Sequence, residues 1–383
     1  MKFLHISDLH LGKRVNEFSM TEDQKYILKQ ILYIGEQEQT DGVLLAGDIY
    51  DKPVPSAEAV QIFDWFLTGL ADRGMKVFAV SGNHDSPERV SFGAQLMQGR
   101  GVYLSPVYEG DITGIPLQDQ YGELSVYLLP FVKPALVRHA LENEPEARIP
   151  ESYQDAVRIA VERMKIDVKK RNLLVAHQFV TGAGRCDSEE ASVGGLDNVD
   201  GAVFDVFDYV ALGHIHSPQS VGRESIRYCG TPLKYSFSEA EQIKSVTVVE
   251  MGEKGNVRIS TVPLVPLRDM RKIRGTYLEV TAKSFYRDFD REDYLQVTLT
   301  DEEDVPDALQ KLRIIYPNLM RLAYDNSRTR QDREVEAALA VEQKSELELL
   351  GEFYELQNNQ PMSGEQAAFA EALIRELKGE HAL

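Results

Sequence analysis

Asp8 and His10 stand two residues apart directly behind the apolar run Phe3-Leu4-His5-Ile6. That run reads as a buried strand. Where it gives way to a loop, the two side chains point to the same side and turn their lone pairs toward one point. A carboxylate and an imidazole offered together make half of a metal site. Four more apolar runs end in the same kind of group. Gly42-Val43-Leu44-Leu45-Ala46 ends in Gly47-Asp48, and Lys76-Val77-Phe78-Ala79-Val80 ends in Gly82-Asn83-His84-Asp85. Leu173-Leu174-Val175-Ala176 ends in His177, and Tyr209-Val210-Ala211-Leu212 ends in Gly213-His214-Ile215-His216. Of the 8 histidines, only His5, His139 and His381 lie outside these places.

Ligand sites in open α/β sheets form at the C-terminal ends of strands. Asp8, His10, Asp48, Asn83, His177, His214 and His216 are therefore the candidate metal ligands. The set is oxygen and imidazole without thiolate, which favours manganese, iron or zinc. It is too large for one ion and suits two, about 3.5–4 Å apart, sharing a carboxylate. Two such cations activate a water and clamp the oxygens of a tetrahedral phosphorus centre, so the chemistry is phosphoester hydrolysis. A single Asp-x-His or Gly-Asp would carry none of this; recurrence at successive strand ends does.

The elements that must position these groups alternate over the first two-thirds of the chain. Thr21-x-x-Gln24 reads as a capping box that opens a helix through Ile27, Leu28, Ile31 and Leu32. Ser56 opens another with Val60, Phe63, Phe66, Leu67 and Leu70 at helical spacing, and a further helix is expected over 153–169. From 225 to 265 strands follow one another without helices. The pattern is α/β: βαβ units, then a β-rich half, with two sheets back to back. Near 264–276, Pro263, Pro266 and the cluster Arg268, Arg271, Lys272, Arg274 interrupt it. Beyond lie a strand at Tyr294 to Leu299, a helix from Val305 to Ile315 and a strand at Leu319 to Tyr324. The chain past 333 reads as helical: one segment carries Leu347, Leu350, Phe353 and Tyr354, and a second opens at the capping box Ser363-x-x-Gln366 and aligns Phe369, Leu373 and Leu377. Three regions are expected: 1–270, 271–332 and 333–383.

The net charge of −19 would by itself argue against a nucleic-acid partner. Metal-binding carboxylates inflate it, however, and residues 333–383 hold eleven Glu against four Lys or Arg. Cys186 and Cys229 are the 2 cysteines and form no CxxC, so neither a disulfide framework nor a zinc finger is expected, and a reducing cytosol fits. No apolar run reaches membrane-spanning length, and the N-terminus enters a strand without a signal-peptide segment. The expectation is a cytoplasmic protein with no membrane partner.

These blocks resemble the calcineurin-like metallophosphoesterases, whose signature is D-x-H, G-D-x-x-D, G-N-H-[DE], a later His, and G-H-x-H. The resemblance spans about 1–265. It implies a fold of two stacked mixed sheets flanked by helices. It also implies that Asp8, His10, Asp48 and His216 hold one ion, that Asp48, Asn83, His177 and His214 hold the other, and that Asp48 bridges them. His84 would contact the scissile phosphate and protonate or stabilise the leaving oxygen. Manganese is the family's usual activator. The run from Phe3 through Gly12, the Tyr228-Cys229-Gly230-Thr231-Pro232 block, the small β-α-β unit and the helical tail are similar to one branch, the bacterial DNA nuclease subunits. That branch implies a small cap that helps hold DNA, and a tail that binds a large coiled-coil ATPase. It also implies a homodimer of nuclease subunits. The activity it implies is 3′→5′ exonuclease on duplex ends and endonuclease on single strands or hairpins. ATP hydrolysis would belong to the partner, since the chain has no G-x-x-x-x-G-K-[ST] loop. Archaeal and eukaryotic relatives often have His at the position of Asp51, to which no role is assigned. A phosphoesterase acting on cyclic nucleotides or other small phosphoesters is the alternative.

Overall fold

The computed structural model describes residues 1–144, 148–184, 186–189, 198–287, 289–327, 347, 350, 351, 354 and 362–377. Two compact units divide the chain, Met1–Lys272 with Glu292–Leu295, and Ile273–Arg291 with Gln296–Leu383.

The first unit is built on two mixed sheets. One runs, in spatial order, Val257–Pro263, Ser245–Met251, Lys2–Ile6, Gly42–Ala46, Lys76–Val80 and Val102–Leu104. Its last four strands are mutually parallel, and Ser245–Met251 pairs antiparallel with Lys2–Ile6. The other runs Gln219–Val221, Arg223–Tyr228, Tyr209–Gly213, Arg171–His177, Gly122–Leu129 and Ile115–Asp119. Its four central strands are parallel, and antiparallel strands close both edges.

Residue parity explains the near-continuous apolar runs. In a strand, alternate side chains face opposite sides. Leu173 and Val175 join Phe3, Leu44, Phe78, Val80, Val126 and Tyr209 in one core that draws on both sheets. Leu174 and Ala176 face the other way, into a core with Val157, Ala160 and Val161 of the helix Tyr153–Arg163. Each central strand is thus covered on both faces, as parallel strands require. Helices Thr21–Gln37 and Ala57–Asp72 bury the stripes Ile27/Leu28/Ile31/Leu32 and Ile62/Phe63/Phe66/Leu70. Ser56 Oγ accepts from Ala59 N–H at 3.2 Å, closing the N-terminus of the second helix. Val60, expected on its buried stripe, is 44% exposed.

Three local expectations need correction. Thr21 is the first residue of its helix, Met20 is the cap, and no side chain caps it. Gln24 is spent elsewhere, as described below. The helix expected over 153–169 stops at Arg163, and Lys165 just beyond has a positive φ of 50°. The helix expected from Val305 begins at Ala308, behind Asp307 at φ 54°.

The second unit centres on the three-stranded sheet Met270–Gly275, Tyr294–Leu299 and Leu319–Tyr324, whose first two strands begin in the first unit, and on the helix Ala308–Ile315. Val280, Leu312 and Tyr316 are buried, and the Tyr316 hydroxyl donates to Val280 O. In the tail, Ser363 and Gln366 exchange backbone and side-chain hydrogen bonds of 2.9 and 3.3 Å at the start of the helix Gly364–Leu377, as a capping box does. Phe369 is 68% exposed and Leu373 43%. Phe353 and the side chain of Leu377 lie outside the described residues. No described helix is long and apolar enough to cross a membrane.

Candidate metal centre

Every strand end named from the sequence arrives at one place in the first unit. The loops behind Lys2–Ile6 and Gly42–Ala46 are tied together: Asp8 N–H donates to Gly47 O, His10 N–H to Asp48 O and Leu11 N–H to Ile49 O, at 3.0, 3.0 and 2.9 Å. Asp8, His10, Asp48 and His214 all take positive φ, at 53°, 43°, 49° and 99°. Backbone strain of this kind persists where the surroundings over-determine it and clusters at functional sites. Gly82 lets the loops close: a Cβ there would collide with the Asp48 carboxylate and its backbone nitrogen. Gly213 lies against Ala46 O in the same way, across the two sheets.

Asp48 Oδ2 is the hub. It lies 3.4 Å from His177 Nε2, 3.7 Å from His10 Nε2 and 3.9 Å from His84 Nε2. Its other oxygen accepts from His84 N–H at 2.9 Å. His10 Nε2 faces His216 Nε2 at 3.2 Å. Asn83 Oδ1 lies 2.9 Å from His177 Nε2 and 3.0 Å from His214 Nδ1. Both oxygens of Asp8 accept from His214 N–H, at 3.1 and 3.2 Å, and Ser7 Oγ donates to one of them. Asp8, His10 and His216 form one triad of potential ligands, Asp8, Asp48 and His177 another, and His10, Asp48 and His84 a third. The structure thus brings together all seven candidate ligands and His84. His84 is the most open of the triad residues, with 17% of its side chain exposed against 3% for Asp48 and 1% for His10.

The donor set fits a cation. His177 Nδ1 lies 2.8 Å from Ala46 O, which can only accept, so that nitrogen carries the proton. A neutral ring then turns a bare Nε2 toward two further acceptors, Asn83 Oδ1 and Asp48 Oδ2. Only a proton or a metal ion reconciles such a group. Burial opposes charge on His177, but the Asp48 carboxylate overrides it and pulls the ring up to about 9. Burial pushes Asp8 up to about 8, with Asp48 adding to the effect. For Asp48 burial acts upward too, yet His177, His10 and His84 outweigh it and hold it well below the carboxylate range. Burial also keeps His10 and His216 well below the usual imidazole range, so both rings are neutral and each offers one lone pair. These excess acceptors around one carboxylate are what a divalent cation pair would satisfy.

A calcineurin-like phosphoesterase family model matches residues 1–218. The SbcD subunit of the nuclease SbcCD from Staphylococcus epidermidis is 33% identical over 327 residues, covering 84% of this chain and 85% of the relative. The chain belongs to the SbcD family of calcineurin-like phosphoesterases. A second model, SbcD_C, described as the type 5 capsule protein repressor C-terminal domain, matches residues 266–358 of this SbcD-family chain. Among solved structures, a dimetal phosphatase from Danio rerio is similar at 12% identity and a TM-score of 0.41, covering 70% of this chain and 98% of that one. The protein TT1561 of Thermus thermophilus is similar at 12% identity and a TM-score of 0.39, covering 68% and 98%.

Several supports of the SbcD-family site are not visible as motifs. Gln24 reaches from its helix into the loop behind the first strand. Its amide donates to Leu9 O, His10 O and the Tyr235 hydroxyl at 3.2, 2.7 and 3.1 Å, and accepts from Gly12 N–H at 3.0 Å. Asp85 accepts from the N–H groups of Ile49, Tyr50 and Gly82 at 2.9–3.0 Å, binding the Asp48 loop to the Asn83 loop. Its place behind Gly-Asn-His was the available signal. Lys13 pairs with Asp51 at 2.7 Å beside His10. His5 is a core histidine, 2.9 Å from the Tyr209 hydroxyl and 3.1 Å from Leu212 O, and burial lowers it to about 3.

Proposed function

We propose that the chain is the nuclease subunit of an SbcCD-type complex that hydrolyses DNA phosphodiester bonds with two divalent cations, most readily manganese. Asp8, His10, Asp48 and His216 would hold one cation; Asp48, Asn83, His177 and His214 would hold the other. Bound there, the pair would neutralise charge on the phosphate and lower the pKa of the attacking water. The observation that carries the reading is Asp48 Oδ2, within 4 Å of three imidazoles from separate segments of the chain.

His84 supplies the remaining chemistry. Its Nδ1 donates to Asp51 O at 3.2 Å, which fixes the ring and turns Nε2 toward Asp48. Being the open side of the cluster, that nitrogen is the one able to reach a bound phosphate and, when the ring is doubly protonated, to deliver a proton to the leaving oxygen. Asp48 orients the His84 backbone through the 2.9 Å bond to its N–H.

Cleavage would run 3′→5′ from duplex ends and would open single strands and hairpins. ATP would be hydrolysed by a partner of the SbcC type, bound through the tail beyond 333. Residues 271–332 would help hold DNA, and the nuclease subunit would work as a homodimer in the cytoplasm. The basic residues near the boundary offer less to DNA than their number suggests, since Arg268 pairs with Glu22 and Asp23, Arg271 with Asp293, and Arg274 with Asp325.

The test is a cleavage assay with manganese on linear duplex DNA, hairpin DNA, a cyclic nucleotide and an aryl phosphodiester, with and without the ATPase partner. Cleavage of both DNA substrates supports the reading. No DNA cleavage under any condition, with turnover of the small esters, would replace it with the small-molecule phosphoesterase.

A further inference from the structure

Behind His216, on the side away from the other ligands, lies a buried polar chain that none of the roles above uses. Ser188 Oγ stands 2.7 Å from His216 Nδ1 and 2.6 Å from Glu239 Oε1. Glu239 is fully buried, and its other oxygen takes Lys244 Nζ at 2.6 Å. Lys244 is itself 5% exposed and donates also to His216 O at 2.9 Å and to Gln242 Oε1 at 2.8 Å. Glu189 Oε1 accepts from His216 N–H at 2.6 Å.

The proton positions follow from the inventory of donors. A carboxylate only accepts, so the single Ser188 hydroxyl proton goes to Glu239. Ser188 Oγ must then accept from His216, which places the ring proton on Nδ1 and leaves Nε2 bare, facing His10 and the cluster. His177 is oriented by a backbone carbonyl, Ala46 O, which no substitution removes. The ring of His216 depends on side chains. Lys244 makes the arrangement tenable, because an unpaired buried carboxylate would be strongly destabilising.

We propose that Ser188 and Glu239 are positioning residues that fix the tautomer and aim of His216, with Lys244 holding Glu239 in place. The inference rests on the reading that His216 holds a metal ion. It assigns the network to only one of the two ions, since His177, His214 and Asn83 lie outside it.

The experiment is a manganese titration of the full chain followed by electron paramagnetic resonance, on wild type, Ser188→Ala, Ser188→Thr and Glu239→Gln. Partners behind ligating histidines are worth about 10–100-fold in metal affinity. Ser188→Ala should weaken one binding step by about that factor, leave the other step in place, and be rescued by Ser188→Thr. Glu239→Gln should weaken the same step. Nitrogen NMR of the metal-free chain should find the His216 proton on Nδ1 in wild type and lose that preference in Ser188→Ala. Two unchanged steps in Ser188→Ala, or equal weakening of both without rescue by Thr, would overturn the inference while the dinuclear reading stands. A wild type that binds no manganese would sink the dinuclear reading and this inference with it.

Discussion

Asp48 Oδ2 and His177 Nε2 lie 3.4 Å apart, although Asp48 follows a strand of one sheet and His177 ends a strand of the other. The pair stitches the two sheets together at the ends of their parallel strands. Everything chemical in the chain is arranged around that junction.

His84→Ala removes the open imidazole but none of the seven proposed ligands. Turnover on duplex DNA should fall about 10²–10⁴-fold, the usual contribution of a general acid. Manganese stoichiometry and DNA affinity should stay at wild-type values in titrations. Loss of an ion along with activity would make His84 a ligand.

Gln24→Ala strips the Asp8–His10 loop of its anchor and leaves Gly12 N–H without its side-chain partner, while Leu9 O keeps the Tyr235 hydroxyl and His10 O keeps Lys13 N–H. A buried group left unsatisfied costs about 1–3 kcal/mol. Melting temperature and manganese affinity should drop together, although Gln24 touches no proposed ion. Gly82 guards the same junction from the other side, because an added Cβ would meet the Asp48 carboxylate and backbone nitrogen.

Asp119 governs part of the acid limb of stability. Burial would raise its pKa, but the Arg171 guanidinium and the Met1 ammonium outweigh burial and hold it below the carboxylate range. A depressed carboxylate stabilises the fold above its unfolded value of about 3.9, and that contribution is lost as pH falls toward the folded value. Asp119→Asn should lower the urea midpoint at neutral pH and flatten its decline on acidification below about pH 4.

Deleting residues 333–383 should abolish co-purification with an SbcC-type ATPase and keep basal manganese-dependent cleavage. A partner that still co-purifies would place its docking surface elsewhere.

The convergence of the candidate ligands was legible because each polar group stands directly behind an apolar strand, where parity and strand order bring the strand ends together. The two-sheet architecture was legible for the same reason, since strands covered on both faces write continuous apolar runs. Gln24 was misread because Thr-x-x-Gln is a capping pattern; only the loop packed above it shows where its amide goes. Ser188 and Glu239 carry no local signal at all, since a serine in a turn and a glutamate ending a short 3-10 helix look solvated until Lys244 and His216 enclose them. The Arg268–Arg274 cluster marked a boundary in the sequence, and three of its members prove to be paired with acids of the fold itself. Phe353 and the side chain of Leu377 lie outside the described residues, so the tail's apolar face is read from sequence there.

The central claim is that Asp48 is shared by two cations. Manganese titration followed by electron paramagnetic resonance tests it directly. Two ions per chain with a spin-coupled spectrum are expected, with loss of the coupling in Asp48→Asn. Saturation at one ion or none, or two uncoupled ions indifferent to Asp48→Asn, would contradict it.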